Sequence, residues 1–185
     1  MTSLLVLGGA RSGKSRYAES LAKGQKYYIA TGQAFDDEMQ ERITAHRAQR
    51  GGGWNTLEAP LHVVDTLREI DGKGRFILID CLTIWIGNLM HEKLDVLAEV
   101  ERLCAALAKA KAHVAVVSNE VGLGIVPDNA MARAFRDLQG FANQRMARAA
   151  DEVVFIAAGV PLVLKKSRRA ARQGRIAKSS RIRKT

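Results

Sequence analysis

The chain contains few of the residues that would assign it to several common classes of protein. Cys81 and Cys104 are its only cysteines, so a disulfide framework is excluded, and no CxxC pair suggests a metal site. No apolar run approaches the ~20 residues that a membrane span needs. The first residues also lack the basic and apolar segments of a secretion signal. We therefore expect a protein of the reducing cytoplasm.

Acidic residues are absent from one end of the chain. The stretch from Lys165 to Lys184 holds ten lysines and arginines and no acidic residue, whereas residues 1–164 hold equal numbers of basic and acidic residues. The net charge of +10 therefore belongs to the tail. A neutral body argues against nucleic-acid binding. We expect residues 166–185 to be a disordered basic tail, either a solvated appendage or a segment that contacts acidic surfaces.

Strands and helices alternate through the remaining residues. With 185 residues and 47% hydrophobic composition, the chain suits one catalytic domain, which we place at 1–165. Periodicity predicts strands at 4–7, 27–31, 76–79, 114–117, 153–157 and 162–164, and helices at 15–23, 36–50, 91–111 and 127–150. On the last helix, Met131, Phe135 and Leu138 share one face. This order predicts an α/β fold whose mostly parallel sheet is covered on both faces.

A glycine-rich loop follows the first predicted strand. Gly8-x-x-x-x-Gly13-Lys14-Ser15 satisfies the P-loop pattern at every required position, with a strand before it and a helix after it. Glycines allow successive backbone N–H groups to point at phosphates, Lys14 reaches the β- and γ-phosphates, and the Ser15 hydroxyl binds Mg²⁺. The alternative is a chance glycine-rich turn, which this motif in this context disfavours. We therefore expect a nucleoside triphosphate to bind here.

An acidic residue closes the third predicted strand. Asp80 follows four apolar residues, and a carboxylate at that position suits the second acid on the Mg²⁺ side of P-loop enzymes. Many strands end in aspartate, so the P-loop is what favours a metal-binding role over a structural one.

One histidine lies on the predicted helix 36–50. His46 shares a face with Met39 and Ile43, so spacing alone favours an inert residue at the edge of a core. The functional alternative is a nucleophile that attacks the α-phosphorus of a triphosphate. His62, His91 and His113 have no metal-like spacing and are interpreted as structural or surface residues.

Taken together, these motifs closely resemble the bifunctional adenosylcobinamide kinase / adenosylcobinamide-phosphate guanylyltransferase family of cobalamin biosynthesis. The resemblance runs from about residue 3 to residue 165. The most specific matching block is Ser118-Asn-Glu-Val-Gly-Leu-Gly-Ile-Val-Pro127. The other blocks are 8–15, 28–31, 36–39 with Arg42, Ile43 and His46, Trp54, Glu58, 80–83, 88–89, Arg133, 135–137 and 143–144.

The resemblance implies a fold, two activities and a set of site residues. The implied fold is the three-layer, RecA-like P-loop NTPase fold. The resemblance also implies that the chain assembles into a homotrimer. Members phosphorylate adenosylcobinamide with ATP or GTP, and then transfer GMP from GTP to that phosphate, giving adenosylcobinamide-GDP and pyrophosphate. The guanylyl group passes through a histidine, which corresponds to His46. The nucleotide contacts would be Gly8, Gly9, Ala10, Arg11, Ser12, Gly13, Lys14, Ser15, Ala30, Thr31, Gly32, Arg47, Ala48, Gln49, Arg50, Glu58 and Asp80.

Two alternative functions and several details stay open at this stage. A P-loop small-molecule kinase without guanylyl transfer would form no GMP adduct, and a nucleotide-dependent nucleic-acid binder would use the basic tail. Asp80 and Glu120 are both candidate general bases, and relatives often carry glutamate at position 80. The sequence does not identify the corrinoid pocket, the preferred nucleotide of the kinase step or the role of the tail.

Overall fold

The computed structural model describes residues 2–32, 44 and 51–166. The predicted helix 36–50, with His46 and residues 47–50, lies outside the described residues, except for the helical Thr44. The basic segment from Ser167 onward lies outside them as well. Within the described part, no helix is both long and apolar enough to cross a membrane.

Seven strands of the described chain form one sheet. Their bounds are β1 Ser3–Gly8, β2 Gln25–Ala30, β3 Trp54–Glu58, β4 Arg75–Asp80, β5 His113–Asn119, β6 Glu152–Ala157 and β7 Val160–Lys165. The order across the sheet is β3-β2-β4-β5-β1-β6-β7. Every neighbouring pair is parallel except β6 and β7, which form an antiparallel hairpin at one edge. The predicted mostly parallel sheet is therefore confirmed.

Five helices connect the strands in the described residues. Their bounds are α1 Lys14–Ser20, α2 Val63–Glu69, α3 Leu82–His91, α4 Val96–Lys109 and α5 Ala130–Ala149. Three of them begin at a side chain that accepts a hydrogen bond from the first turn, Cys81 for α3, Asp95 for α4 and Asn129 for α5. Lys165 ends β7 and donates from its Nζ to the carbonyl oxygens of Ala147, Arg148 and Ala150 at the end of α5.

The core lies on both faces of the sheet because successive strand residues point to opposite sides. In β1, Leu5 and Leu7 join a large cluster with α2, α3, α4 and α5, whereas Val6 joins a smaller cluster on the other face with Ala18 of α1. All three strand residues are buried. A strand that buries both faces has a continuous run of apolar residues in its sequence. The buried strands could therefore be predicted from the sequence.

Several sequence predictions about these elements were incomplete or wrong. The predicted helix 91–111 is α4 alone and begins at Val96, because α3 ends at His91 and a short turn precedes Asp95. Strand β3 and helices α2 and α3 were not predicted. Helix α5 begins at Ala130 rather than at Pro127, and Met131 is 76% exposed, so it does not lie on the buried face. The buried stripe of α5 is partly polar and lies further along the helix, which explains why apolar spacing misjudged it.

Candidate nucleotide site

The phosphate loop lies between the end of β1 and the start of α1. Gly8 ends the strand with a φ of 153°, and Gly13 precedes the helix with a φ of 96°, both in the region that favours glycine. Arg11 also has a positive φ, of 55°. The Ser12 N–H donates to the Gly9 carbonyl oxygen over 3.3 Å, and the Gly159 N–H of the β6–β7 turn donates to the Ser12 carbonyl oxygen over 3.0 Å. The loop is therefore held from within and by its neighbouring turn.

Gly8 leaves no room for a side chain. A Cβ atom placed on it would lie 2.4 Å from the carbonyl oxygen of Ile156 in β6 and 2.7 Å from Ser12 Oγ. The Ile156 oxygen is a backbone atom and cannot swing away. Ser12 Oγ is itself buried and has no hydrogen-bond partner among the described residues. Gly8 is thus required by the packing of β1 against β6.

Lys14 is a buried cation at the base of this loop. Its side chain is 7% exposed, and its Nζ donates to the Gly9 carbonyl oxygen over 2.6 Å, so it spans the loop. Burial lowers the pKa of the ammonium, and the Coulombic attraction of Cys81 and Asp80 opposes that shift. Burial, followed by the charge of Asp80, raises the pKa of the Cys81 thiol to about 12. The Cys81 thiol is therefore uncharged at neutral pH, and the attraction that opposes the shift of Lys14 there comes from the Asp80 side chain.

Asp80 is held in place by β2 and by the residue that follows it. The Tyr28 hydroxyl of β2 donates to Asp80 Oδ2 over 2.9 Å, and the Asp80 carbonyl oxygen accepts from the Thr31 N–H over 3.2 Å. A cis peptide bond joins Asp80 to Cys81. Thr31 Oγ1 accepts from the Cys81 N–H and donates to the Cys81 carbonyl oxygen. Tyr28 and Thr31 therefore act as the supports of the acidic residue, a role that strand periodicity could not reveal.

Asn88 ties α3 to the same edge of the sheet. Its Nδ2 donates to the carbonyl oxygens of Thr31 over 2.8 Å and Pro60 over 2.9 Å, and the side chain is buried. It thereby connects the segments that follow β2 and β3. Asn88 is one of the residues that carry the family resemblance, and the structure gives it a positioning role.

The end of β5 lies beside the phosphate loop. The Glu120 N–H donates to the Gly8 carbonyl oxygen over 3.0 Å, and Glu120 Oε1 accepts from the Gly122 N–H over 2.7 Å. The Glu120 carboxylate therefore braces its own loop. The Asn119 N–H donates to Thr83 Oγ1 of α3, which fixes the end of β5 from the opposite side.

Most of the predicted site residues meet at the carboxyl edge of the sheet. Ala30 is in register with both Glu58 and Asp80, and Gly8 is in register with Asn119. Thr31 and Gly32 follow β2 directly, so the predicted residues 8–15, 30–32, 58 and 80 share one edge. Glu58 is exposed and lies on the outermost parallel strand, two strands from Asp80. His46 and residues 47–50 lie outside the described residues, so their predicted roles stay predictions.

The other histidines are away from this edge or at helix ends. His113 begins β5 at the amino-terminal edge of the sheet, and its Nδ1 lies 3.0 Å from Thr2 Oγ1. His62 immediately precedes α2, and His91 ends α3. Across residues 2–32, 44 and 51–166, no group of three His, Cys, Asp or Glu side chains could hold a metal ion.

Comparison with known proteins agrees with the site geometry. A family model described as cobinamide kinase / cobinamide phosphate guanyltransferase, CobU, matches residues 4–164. The bifunctional adenosylcobalamin biosynthesis protein CobP of Pseudomonas aeruginosa is 45% identical over 168 residues, which cover 87% of this chain and 96% of that protein. The bifunctional adenosylcobalamin biosynthesis protein CobU of Salmonella typhimurium is 43% identical over 180 residues, which cover 88% of this chain and 99% of that protein.

Solved structures resemble the chain in fold alone. The protein PH0250 of Pyrococcus horikoshii OT3 superimposes with a TM-score of 0.53 at 8% identity, over 89% of this chain and 86% of that one. An ATPase from the type III secretion system of pathogenic bacteria gives a TM-score of 0.51 at 10% identity, over 94% of this chain and 53% of that one. The fold is accordingly that of the P-loop NTPases, as the sequence predicted.

Proposed function

The chain belongs to the cobinamide kinase / cobinamide phosphate guanyltransferase family, and we propose from this that it is a bifunctional enzyme of adenosylcobalamin biosynthesis. It phosphorylates adenosylcobinamide with ATP or GTP, and it then transfers GMP from GTP to the resulting phosphate, releasing pyrophosphate. The observation that carries this conclusion is the family match across residues 4–164, which surrounds a P-loop of suitable geometry.

In the kinase step, the chain's task is to position and neutralise phosphates. The acceptor hydroxyl oxygen bonds to the γ-phosphorus as the bond to the bridging oxygen breaks. We assign the loop amides of residues 8–15 and the Lys14 ammonium to the charge that spreads over the γ-phosphoryl oxygens. Lys14 suits this role because it is buried, and a cation is worth more in a site with little water. Asp80 stays a candidate base, while Glu120 is engaged in bracing its loop.

The donor set supports a divalent cation, for which we propose Mg²⁺. Ser15 follows Lys14 in the first turn of α1, and Asp80 ends β4 at the same carboxyl edge of the sheet from which the phosphate loop departs. One hydroxyl and one carboxylate suit Mg²⁺, which keeps several waters and takes its remaining ligands from substrate phosphates. Bound there, the cation would neutralise charge on the β- and γ-phosphate oxygens. Tyr28 would orient Asp80 toward it.

For the transfer step we propose His46 as the nucleophile. Its imidazole nitrogen attacks the α-phosphorus of GTP, the bond to the bridging oxygen breaks, and pyrophosphate leaves. A phosphate oxygen of adenosylcobinamide phosphate then displaces the histidine and takes the guanylyl group. We propose that the nucleotide is held by residues 8–15, 30–32, 47–50, Glu58 and Asp80. This assignment rests on the resemblance, since residues 46–50 are outside the described part of the chain.

The covalent intermediate provides a direct test. Incubation with GTP labelled at the α-phosphate, followed by denaturation, should leave an acid-labile label on the protein. His46→Ala should abolish the label and keep most of the kinase activity. His113→Ala is the matched control, because His113 lies at the opposite edge of the sheet, and it should label normally.

The same experiment separates this proposal from the simpler kinase. A wild-type protein that phosphorylates adenosylcobinamide but never acquires label would retain only the kinase half. Normal labelling of His46→Ala would remove that residue from the mechanism. Homotrimeric assembly, which the resemblance implies, stays a proposal that light scattering can test.

A further inference from the structure

The loop between β5 and α5, residues 120–128, displays three strongly exposed apolar side chains. Leu123 is 82% exposed, Ile125 is 98% exposed and Val126 is 62% exposed. Met131, in the first turn of α5, extends the same segment. Single exposed apolar residues are common, but several close together mark a surface that contacts something else.

This loop is fixed at both ends, so the exposure is built into the fold. At its start, the Glu120 N–H bonds to Gly8 and the Glu120 carboxylate accepts from Gly122. At its end, the Arg133 guanidinium donates to the carbonyl oxygens of Pro127 over 3.0 Å and Asp128 over 2.7 Å. Polar contacts thus anchor the backbone while the apolar side chains between them are left in solvent.

A shallow hollow of about 260 Å³ lies beside the loop. It is lined by Gly122, Arg136, Asp137, Gly140, Phe141 and Gln144. The Phe141 ring is half exposed, and Arg136 is oriented by two hydrogen bonds to Asp137 Oδ1. The hollow therefore combines an aromatic surface with side chains that donate and accept hydrogen bonds.

The 120–128 loop also adjoins the phosphate loop. Gly8 and Asn119 are partners in the register of β1 and β5, and the next residue of each strand leads into one of the two loops. A molecule lying on the 120–128 loop can consequently bring one end to the triphosphate. Residues 121–127 carry no charge, so they suit neither a second phosphate nor a nucleic acid.

We propose that the 120–128 loop and the adjacent hollow are the docking surface for the corrinoid acceptor. This proposal rests on the proposed function, which requires such an acceptor. A corrin macrocycle has broad apolar faces and a rim of amide side chains. Leu123, Ile125 and Val126 contact a face of the ring, while the hollow receives a rim amide, which pairs with Arg136, Asp137 or Gln144. The ring is too large for the hollow, so it lies across the loop with its terminal hydroxyl toward Gly8.

The test replaces the exposed apolar side chains and varies each substrate separately. In Leu123→Ser/Ile125→Ser, the KM for adenosylcobinamide should rise about tenfold or more, because two apolar contacts are lost. The KM for GTP and the rate of α-phosphate labelling should stay within about twofold, because neither needs the corrinoid. The matched control is Leu164→Ser, which alters an equally apolar exposed residue of β7 beside the start of β6. It should leave both KM values and the labelling rate unchanged.

Other outcomes would overturn the proposal in distinguishable ways. An unchanged KM for adenosylcobinamide in the double variant would show that the loop does not dock the acceptor. A fall in molar mass by light scattering, together with parallel losses in labelling and corrinoid turnover, would identify the loop as an interface between copies of the chain. If the wild-type protein neither labels nor turns over adenosylcobinamide, the proposed function itself fails and this inference fails with it.

Discussion

At the first residue of the phosphate loop, packing already requires the amino acid that the sequence motif predicts for phosphate binding. The sequence pattern explains Gly8 by the approach of a phosphate, but the backbone of β6 already excludes any side chain there. Gly9 differs, since a Cβ atom on it would meet nothing within 4 Å. Two adjacent glycines of one motif are thus present for different physical reasons.

The pair of glycines gives a prediction about stability. Gly8→Ala should lower the free energy of unfolding by roughly 2 to 4 kcal/mol, because the methyl group meets the Ile156 carbonyl oxygen and φ is unfavourable for alanine. Gly9→Ala should change it by less than about 1 kcal/mol. Urea unfolding followed by circular dichroism measures both. Equal effects of the two substitutions would contradict this explanation.

Among the secondary-structure elements, α5 is joined to β5 by buried amides. Ser118, Gln139 and Asn143 are all buried, and Gln139 Nε2 donates to Ser118 Oγ and to Asn143 Oδ1. Ser118 Oγ donates to Asn143 Oδ1 over 2.7 Å, and Asn143 Nδ2 donates to the Asn119 carbonyl oxygen over 3.1 Å. The polar cluster therefore holds the end of β5, from which the 120–128 loop departs.

The two amides of this cluster should differ in their importance. Asn143→Leu should destabilise the protein by about 2 to 4 kcal/mol, because it leaves the Ser118 hydroxyl and the Asn119 carbonyl without this partner. Gln139→Met should cost about 1 kcal/mol or less, because Gln139 Oε1 already has no hydrogen-bond partner among the described residues. Chemical denaturation of both variants checks the order. A larger loss for Gln139→Met would mean that the cluster is organised around Gln139.

For the whole molecule, the change in charge along the chain lies close to the end of the family match. The family match ends at residue 164, and the last strand among the described residues ends at Lys165. Lys165 belongs to the body by its contacts, since it caps α5, although charge alone groups it with the basic tail. Beyond it, eight of the nineteen residues 167–185 are lysine or arginine and none is acidic.

Deletion of residues 167–185 should therefore leave catalysis intact. Kinase turnover and α-phosphate labelling should stay within about twofold of the full chain, because every described contact of the site lies within residues 2–166. Binding to heparin or anionic vesicles at low salt should weaken strongly, because the deletion removes eight positive charges. Loss of labelling on deletion would instead assign the tail to the site.

The sequence predicted the buried strands well because each of them is a continuous apolar run. It missed β3, whose residues Trp54–Glu58 are only partly buried at the edge of the sheet. It also missed α3, because apolar residues occupy most positions of Leu82–His91 and leave no clear one-sided helical pattern. The antiparallel direction of β7 was not predictable from periodicity, since a strand's own pattern does not record the direction of its partner.

By itself, the sequence determined the chemistry of the site: a P-loop motif, an aspartate at the end of a buried strand and a specific family resemblance. Those features are local, because each depends on residue types at fixed spacing along the chain. Only the tertiary structure decided which residues support them, such as Tyr28 beside Asp80, Ile156 against Gly8 and Asn88 between two loops. These pairs are 28 to 148 residues apart in the chain. They meet because parallel strands bring their carboxyl ends to one edge, and no local pattern encodes that encounter.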